Sequence, residues 1–465
     1  MLRASEICER AGIPTSSLVC EGFLGQAAAT AVGLGMPNLP VATIVGHPGA
    51  QTVEEVRAHA ARVTADEVIA NLLQQPEESV LAVEPGPRDI VFTGSFEEVN
   101  AHFIANEWSD GLPIVPPTPE KIAEFLSFTP RKPEESLGIV LPESRAVTIW
   151  SVAVNGVMAG CRPEYMPILV ALAEAMADPM YGVEHSGNTP GAETLIVLNG
   201  PIIKQLGFNF EQGVLRDGFQ ANTSVGRFWR LALRNIAGFL PHKTDKGTFG
   251  NTFRVVLAEN EDAIARAGWV PNSADMGFAA GDNSVTITRM TGGGVLASVT
   301  GARPEEMLPY IADGLAKQTG WEVVFTVGGL TFGTLRPAVV LTPILAETIA
   351  KAGWSKADVR QYLFDHARLP AWKIEKYTET WADFPIGSLA HQVNLGRLPK
   401  VFAESDDPER LVPIVFCPDD IMVLVSGDPL RTNAYVFAHN GYLGFPTAKR
   451  IELPEDWDLR VKHPV

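Results

Sequence analysis

Apolar positions along this chain fall into two periods, and Pro, Gly and capping residues mark where one gives way to the other. Over the first 75 residues the pattern predicts a helix at "ASEICERAG", an amphipathic stretch "GFLGQAAATAVGLGMP", an apolar strand "PVATIVGHPG" and a helix "TVEEVRAHAARVTADEVIANLLQ". Thr52 followed by Glu55 is a capping box that fixes the start of the last helix. Together these make a small α/β unit. The Pro-, Glu- and Gly-rich "QQPEESVLAVEPGPRD", which starts at Gln74, reads as a linker, and residues 76–106 as linker and lead-in, with a second domain beginning near Val91. In "WSDGLPIVPP" the prolines rule out helix, so this stretch must be an extended or looped segment held by its Trp and Leu, and wall-packing is its simplest role. "PPTPEKIAEFL" then begins a helix with Thr118 as cap and Pro in its first turn.

The larger domain, residues 107–465, contains an internal repeat. "AGCRPEYMPILVALAEAMAD" from Ala159 recurs as "TGARPEEMLPYIADGLAKQT" from Thr300, and each copy leads into a β-branched strand that ends at a proline, "TLIVLNGPIIKQLG" and "AVVLTPILAETIAKAG". The copies, near 159–207 and 300–353, predict an α/β fold with pseudo-twofold symmetry and largely parallel, buried strands. "PIVFCPDDIMVLVSGDP" is a weaker third echo, with a strand expected to end at Cys417-Pro418. Ligands in such folds favour the carboxyl ends of strands and the seam between halves.

Composition narrows the function. With 54 acidic against 37 basic residues and a net charge of -17, a nucleic-acid partner is not expected. No apolar window is long enough for a membrane span and "MLRASEICER" lacks a signal-peptide layout, so a cytoplasmic protein with no membrane partner is expected. Cys8, Cys20, Cys161 and Cys417 form neither a disulfide framework nor a CxxC pair. The histidines show no HxH or HxxxH pair, and the metal question stays open. "TVGGLTFGT" and "MTGGGVL" match neither dinucleotide nor P-loop patterns, so no nucleotide cofactor is indicated and the cofactor is unknown. No GxSxG elbow is present.

The repeat shows where to look for chemistry. Cys161 in "VMAGCRPEYMP" stands where the second copy has Ala302. At a helix start beside Arg162 its thiol pKa is expected to be lowered, whereas the alternative is a small packed residue. In "GFQANTSVGRFWRLALRNIAG", Asn222, Thr223 and Ser224 offer a helix cap. Arg227, Arg230 and Arg234 stripe one face behind it, which makes either an anion seat anchored on Arg227 or a salt-bridged face. The loop "YGVEHSGNTPGAE" brings Glu184, His185, Ser186 and Asn188 to a strand's amino end, with His185 a general base or a surface histidine. Asp282 and Asn283 mark a turn.

The residues "GIPTSSLVCEGF", "GLGMPNLP", His47-Pro48 in "GHPG" and "EEVRAHAARV" resemble part of the UGSC family of (seleno)proteins, small bacterial α/β domains named for a selenocysteine- or cysteine-Gly-Ser-Cys motif. The remainder looks like a large uncharacterised bacterial family often found beside or fused to such domains. In the UGSC family the named motif lies before the helix equivalent to "ASEICERAG", and neither Cys8 nor Cys20 reproduces it. The resemblance therefore implies a lost redox thiol or a small partner subunit that supplies the Cys/Sec-Gly-Ser-Cys segment.

The leading expectation is an enzyme acting on a small anionic organic molecule by thiol-dependent chemistry, either redox or carbon–sulfur bond forming or breaking. Cys161 would be the nucleophile, and His185 or Glu164 would move protons. Arg162, Arg227, Asn222, Asp110 and Asp282 would hold substrate. The alternatives are a metal- or acid-base-dependent hydrolase or lyase, with Asp110, His185, Asp282 and His242 gathered at the seam, and a non-catalytic partner-binding subunit.

Overall fold

The first unit forms around two short strands, β1 (Ser17–Cys20) and β2 (Val41–Ile44), which run parallel with Ser17 opposite Val41. This computed structural model describes residues 2–74, 85–251, 255–319, 335–381, 387–439 and 444–461. Helix Leu2–Arg10 precedes β1 and helix Leu24–Gly33 links the strands. The capping box at Thr52 is present: its hydroxyl accepts from Glu55 N while the Glu55 carboxylate accepts from Thr52 N. The helix it starts, Val53–His59, continues through a π-helical turn into Ala65–Leu73. β1 was not expected from the pattern, because "SLVC" is short and alternates only once between exposed and buried positions. The unit meets the rest of the chain where Gly33 lies so near Pro142 that a Cβ would stand 2.3 Å from its carbonyl oxygen, and Arg3 sits 3.6 Å from Glu184.

The expected linker is partly helix. Ser95 and Glu98 form a capping box that starts Phe96–Ala105, and Phe103 packs into the core of the larger domain. Of the two anchors expected for "WSDGLPIVPP", Trp108 packs against the core, but Leu112 is exposed and Ile114 takes its place, buried with its N–H donating to Asn100. Thr118 caps Pro119–Leu126 as predicted. The hairpin of β3 (Ser136–Val140) and β4 (Arg145–Thr148) leads to helix Ile149–Met158.

Both repeat copies form a helix followed by a strand: Met166–Ala177 then β5 (Glu193–Asn199), and Pro304–Thr319 then β8 (Ala338–Leu341). The first half adds β6 (Val256–Ala258) and β7 (Ser284–Leu296), and the second adds β11 (Met422–Val425) and β12 (Ala434–His439). The strand order β11-β8-β12-β7-β5-β6 makes the two halves mirror each other about the β12–β7 pair, and β13 (Thr447–Arg450) pairs β7 off this path. The expectation of largely parallel strands is corrected. Among the described strands of this sheet only β5 with β6 and β8 with β11 are parallel, while the long β7 and its counterpart β12 run antiparallel to their neighbours. Hydrogen bonding of β7 to β12 joins the halves, and Gly293 permits the close approach, since a Cβ there would meet Tyr435 and the Val436 carbonyl oxygen at 2.6 and 2.7 Å.

The sheet curls until its edge strands meet. Ser426 Oγ donates to Ala258 O at 2.7 Å, and Asn260 N donates to Val425 O at 2.8 Å. Leu195, Val197, Leu257, Met290, Val340, Leu424 and Phe437 fill one face of the curl. Each such burial contributes roughly 1.5–3 kcal/mol. The third echo is shifted: β10 (Leu411–Pro413) pairs β9 (Arg368–Pro370), and β11 follows the turn Pro418–Asp420 rather than ending at Cys417. "TVGGLTFGT" lies outside the described residues. No helix among them is long and apolar enough to cross a membrane.

Candidate functional site

Helix Ile149–Met158 ends at Gly160, whose φ of 76° turns the chain left-handed, and Cys161 N then donates to Gly156 O at 3.1 Å. Cys161 therefore belongs to the C-terminal cap of the preceding helix. The next helical turn begins only at Pro163. The expected lowering of the thiol is corrected: burial pushes it up to about 12, against smaller opposite pulls from the Ser224 hydroxyl and the Arg227 charge. The residue is not sealed off, for part of its surface remains in solvent.

The second wall of the site is helix Gln220–Ala232. Phe219 takes the N-cap position, so Asn222, Thr223 and Ser224 lie inside the helix rather than capping it. Asn222 is a structural clamp, its amide bonding both backbone groups of Asn209 and the carbonyl of Val256. Arg227 is not an open anion seat: Nε and Nη2 bind the two Asp110 oxygens at 3.0 and 2.8 Å, and Nη2 also reaches Pro113 O. Arg230 faces Glu193 and Asp245, and Arg234 donates to Glu107 O. The stripe is thus a salt-bridged face.

Arg162 and Glu164 follow Cys161 in the turn that leads into the next helix. The Arg162 guanidinium stands 5.0 Å over the Tyr165 ring, and its Nε is 3.7 Å from Glu164 Oε2. Arg162 Nε, Glu164 Oε2, Thr223 Oγ1 and Ser224 Oγ are buried and make no hydrogen bond to nitrogen or oxygen among the described residues. All four sit on the two segments that meet at Cys161.

His185 belongs to another neighbourhood. It ends the turn Val183–His185, where burial lowers its pKa, Glu184 opposes that shift, and Arg289 and Arg3 add to it. Arg289 is buried under Tyr181 and donates to the carbonyls of Tyr181 and Gly182. Asn188 braces the same loop through His185 O and the N–H groups of Gly191 and Ala192. Asp282 binds Arg450 and Ala279 N in a surface turn. His242 holds a left-handed backbone, φ 66°, and its carbonyl accepts from Lys246. Asp110, His185, Asp282 and His242 therefore have separate sets of contacts. No group of three or more His, Cys, Asp or Glu among the described residues is placed to hold a metal.

Two buried titratable groups escaped the sequence reading. Glu259, directly after β6, accepts from Asn199 Nδ2 and Asn272 N at 2.7 Å and from Val425 N at 3.1 Å, and desolvation still raises its pKa. Its signal was an acidic run, "ENED", at the carboxyl end of an apolar triplet. His439, at the end of β12, accepts from Arg336 N through Nδ1 at 2.9 Å, and burial pushes it down to about 3. Nothing in the local sequence distinguishes it from an exposed histidine.

The UGSC family model matches residues 2–74, as the resemblance of the first unit implied. No curated protein and no solved structure matches the chain.

Proposed function

We propose that this chain, which carries a UGSC-family unit ahead of its repeated α/β domain, is an enzyme that acts on a small anionic organic molecule through the Cys161 thiol. The supporting observation is that Arg162 Nε, Glu164 Oε2 and Thr223 Oγ1, buried and without hydrogen-bond partners among the described residues, lie on the two segments that carry Cys161 and the Ser224 hydroxyl beside its thiol. Each such atom costs roughly 1–3 kcal/mol when it stays unsatisfied. Functional sites are where folds tolerate such costs. Arg162 supplies the charge that anchors an anion, since its ion pair with Glu164 is long at 3.7 Å while Arg227 is held by Asp110 at 2.8 Å. The thiol rests protonated near neutral pH, so reaction requires its proton to leave as the sulfur attacks. Glu164, with Oε2 unbonded, is the group assigned to receive it. Asp110, Asn222 and Arg227 shape the wall, while His185 and Asp282 take no part. A thermal-shift screen of small mono- and dicarboxylates tests this reading. At least one is expected to stabilise the protein saturably, with the shift kept in Cys161→Ser and lost in Arg162→Gln. Equal shifts in Arg162→Gln and the parent would contradict it.

A second reading concerns the first unit, whose two-stranded sheet and outward-facing Ile7, Leu18, Ile69 and Leu73 leave apolar surface in solvent. This supports docking of a small polypeptide carrying the Cys/Sec-Gly-Ser-Cys segment. A fluorescent peptide with Cys-Gly-Ser-Cys followed by alternating apolar residues should bind saturably and lose affinity in Leu18→Lys. No binding to the parent chain would exclude this partner.

A further inference from the structure

The segment from Glu107 to Pro117 joins helix Phe96–Ala105 to helix Pro119–Leu126. It is entered through Glu107, whose φ of 59° is a left-handed backbone that disfavours any residue with a Cβ. From Ser109 to Ile114 the chain makes no backbone–backbone hydrogen bond among the described residues. Side chains hold this stretch instead. Arg227 grips the Asp110 carboxylate with Nε and Nη2 at 3.0 and 2.8 Å, and the same Nη2 reaches Pro113 O at 2.9 Å. In the π-helical turn that continues its helix, Arg234 donates to Glu107 O and Asn235 to Trp108 O. Asn100 accepts from Ile114 N at 2.6 Å. One charged pair thus fastens the turn Asp110–Pro113, in which Gly111 has a φ of 87° and Leu112 stands in solvent.

Two contacts put this strap at the Cys161 corner. Val115 N donates to Met158 O at 3.3 Å, and a Cβ on Gly160 would stand 4.0 Å from Val115 Cγ2, so the strap lies along the helix end that the thiol directly follows. Arg227, which fastens the strap, is also the charge that acts on the Cys161 sulfur. Asp110 neutralises that charge while the strap is down. A loop held by side chains alone opens locally at less cost than a helix or strand, and lids of active sites are built from such loops.

We propose that residues 109–113 are a latched strap over the approach to Cys161, with the Asp110–Arg227 pair as the latch: while the pair is made, small molecules are kept from the sulfur, and when it is released, the sulfur is reached and Arg227 turns its charge to an incoming anion. The proposal rests on Cys161 as the reacting group, but it concerns access, which alkylating reagents report without any substrate. The full chain is treated at about pH 8.5, where a free thiol is half ionised, with neutral iodoacetamide and with anionic iodoacetate. Rates at Cys161 and at the exposed Cys417 are read by peptide mass spectrometry, beside hydrogen exchange of the peptide spanning 109–114. In Asp110→Asn those amides are expected to exchange faster, iodoacetamide to reach Cys161 about tenfold faster or more, and iodoacetate to gain about threefold beyond that, while Cys417 keeps its rate. Arg227→Met frees the strap without freeing a cation, so iodoacetamide gains and iodoacetate does not gain beyond it. Should Asp110→Asn fail to fold by circular dichroism, Arg227→Lys, which keeps the charge but gives up the two-point grip, carries the same expectation for iodoacetamide. The proposal is overturned if the amides of 109–114 exchange as in the parent, if they speed up while Cys161 alkylates as before, or if Arg227→Met favours iodoacetate as Asp110→Asn does. If these responses appear in a protein that no small carboxylate stabilises, the strap stands and the anion-binding reading falls.

Discussion

At the residue scale, the sequence singled out Cys161 as the departure from Ala302, and the structure sets the Ser224 hydroxyl and the Arg227 charge against its thiol. The direction of its pKa shift was not legible, because it follows from burial of the thiol in the folded chain, which the residues around Cys161 do not reveal. Arg227 was legible as important, but its partner Asp110 lies 117 residues earlier and was read as a separate ligand. This part-buried, bidentate pair is expected to show coupling: Arg227→Met or Asp110→Asn alone should cost about 2 kcal/mol, and the double variant little more than either, by urea titration. His439 gives a pH signature. Its folded pKa of about 3 lies below the usual 6.5, so the fold favours the neutral ring. The resulting stability is present above pH 6.5 and is lost as pH falls from there toward 3. Unfolding at pH 7 and pH 4.5 should show a smaller acid loss in His439→Gln than in the parent.

At the element scale, local rules worked where local forces decide. The caps at Thr52 and Thr118 are where the sequence placed them, since a hydroxyl acting on its own helix start needs no tertiary context. Strand direction was misread because a buried β-branched run looks alike in parallel and antiparallel neighbours. The pairing of β7 with β12 across 140 or so residues is a tertiary fact. Glu259 is the hydrogen-bond hub where the two halves meet, holding β5, β11 and the start of helix Asn272–Asp275. Glu259→Ala leaves the N–H groups of Asn272 and Val425 without their acceptor and should lower stability by about 2–4 kcal/mol, whereas Glu259→Gln should lose less. Chemical denaturation of both variants checks this, and equal small losses would show that the hub is dispensable.

At the scale of the whole molecule, the repeat made the α/β class and its duplication legible, because two copies at one spacing reveal symmetry without coordinates. The curl that brings β6 against β11 was hidden in sequence. Likewise the first unit was legible through motifs that the UGSC family model shares over residues 2–74, while the larger domain has no such guide. The central claim is that a small anion is held beside the Cys161 thiol. Its most direct test is the alkylation rate of Cys161, read peptide by peptide by mass spectrometry in the native protein, with and without the small carboxylate that stabilises it best. The account predicts slow alkylation near neutral pH that accelerates as pH rises toward 12, and protection by the carboxylate that disappears in Arg162→Gln. Fast alkylation at pH 7, or a rate that no small anion changes, would contradict it.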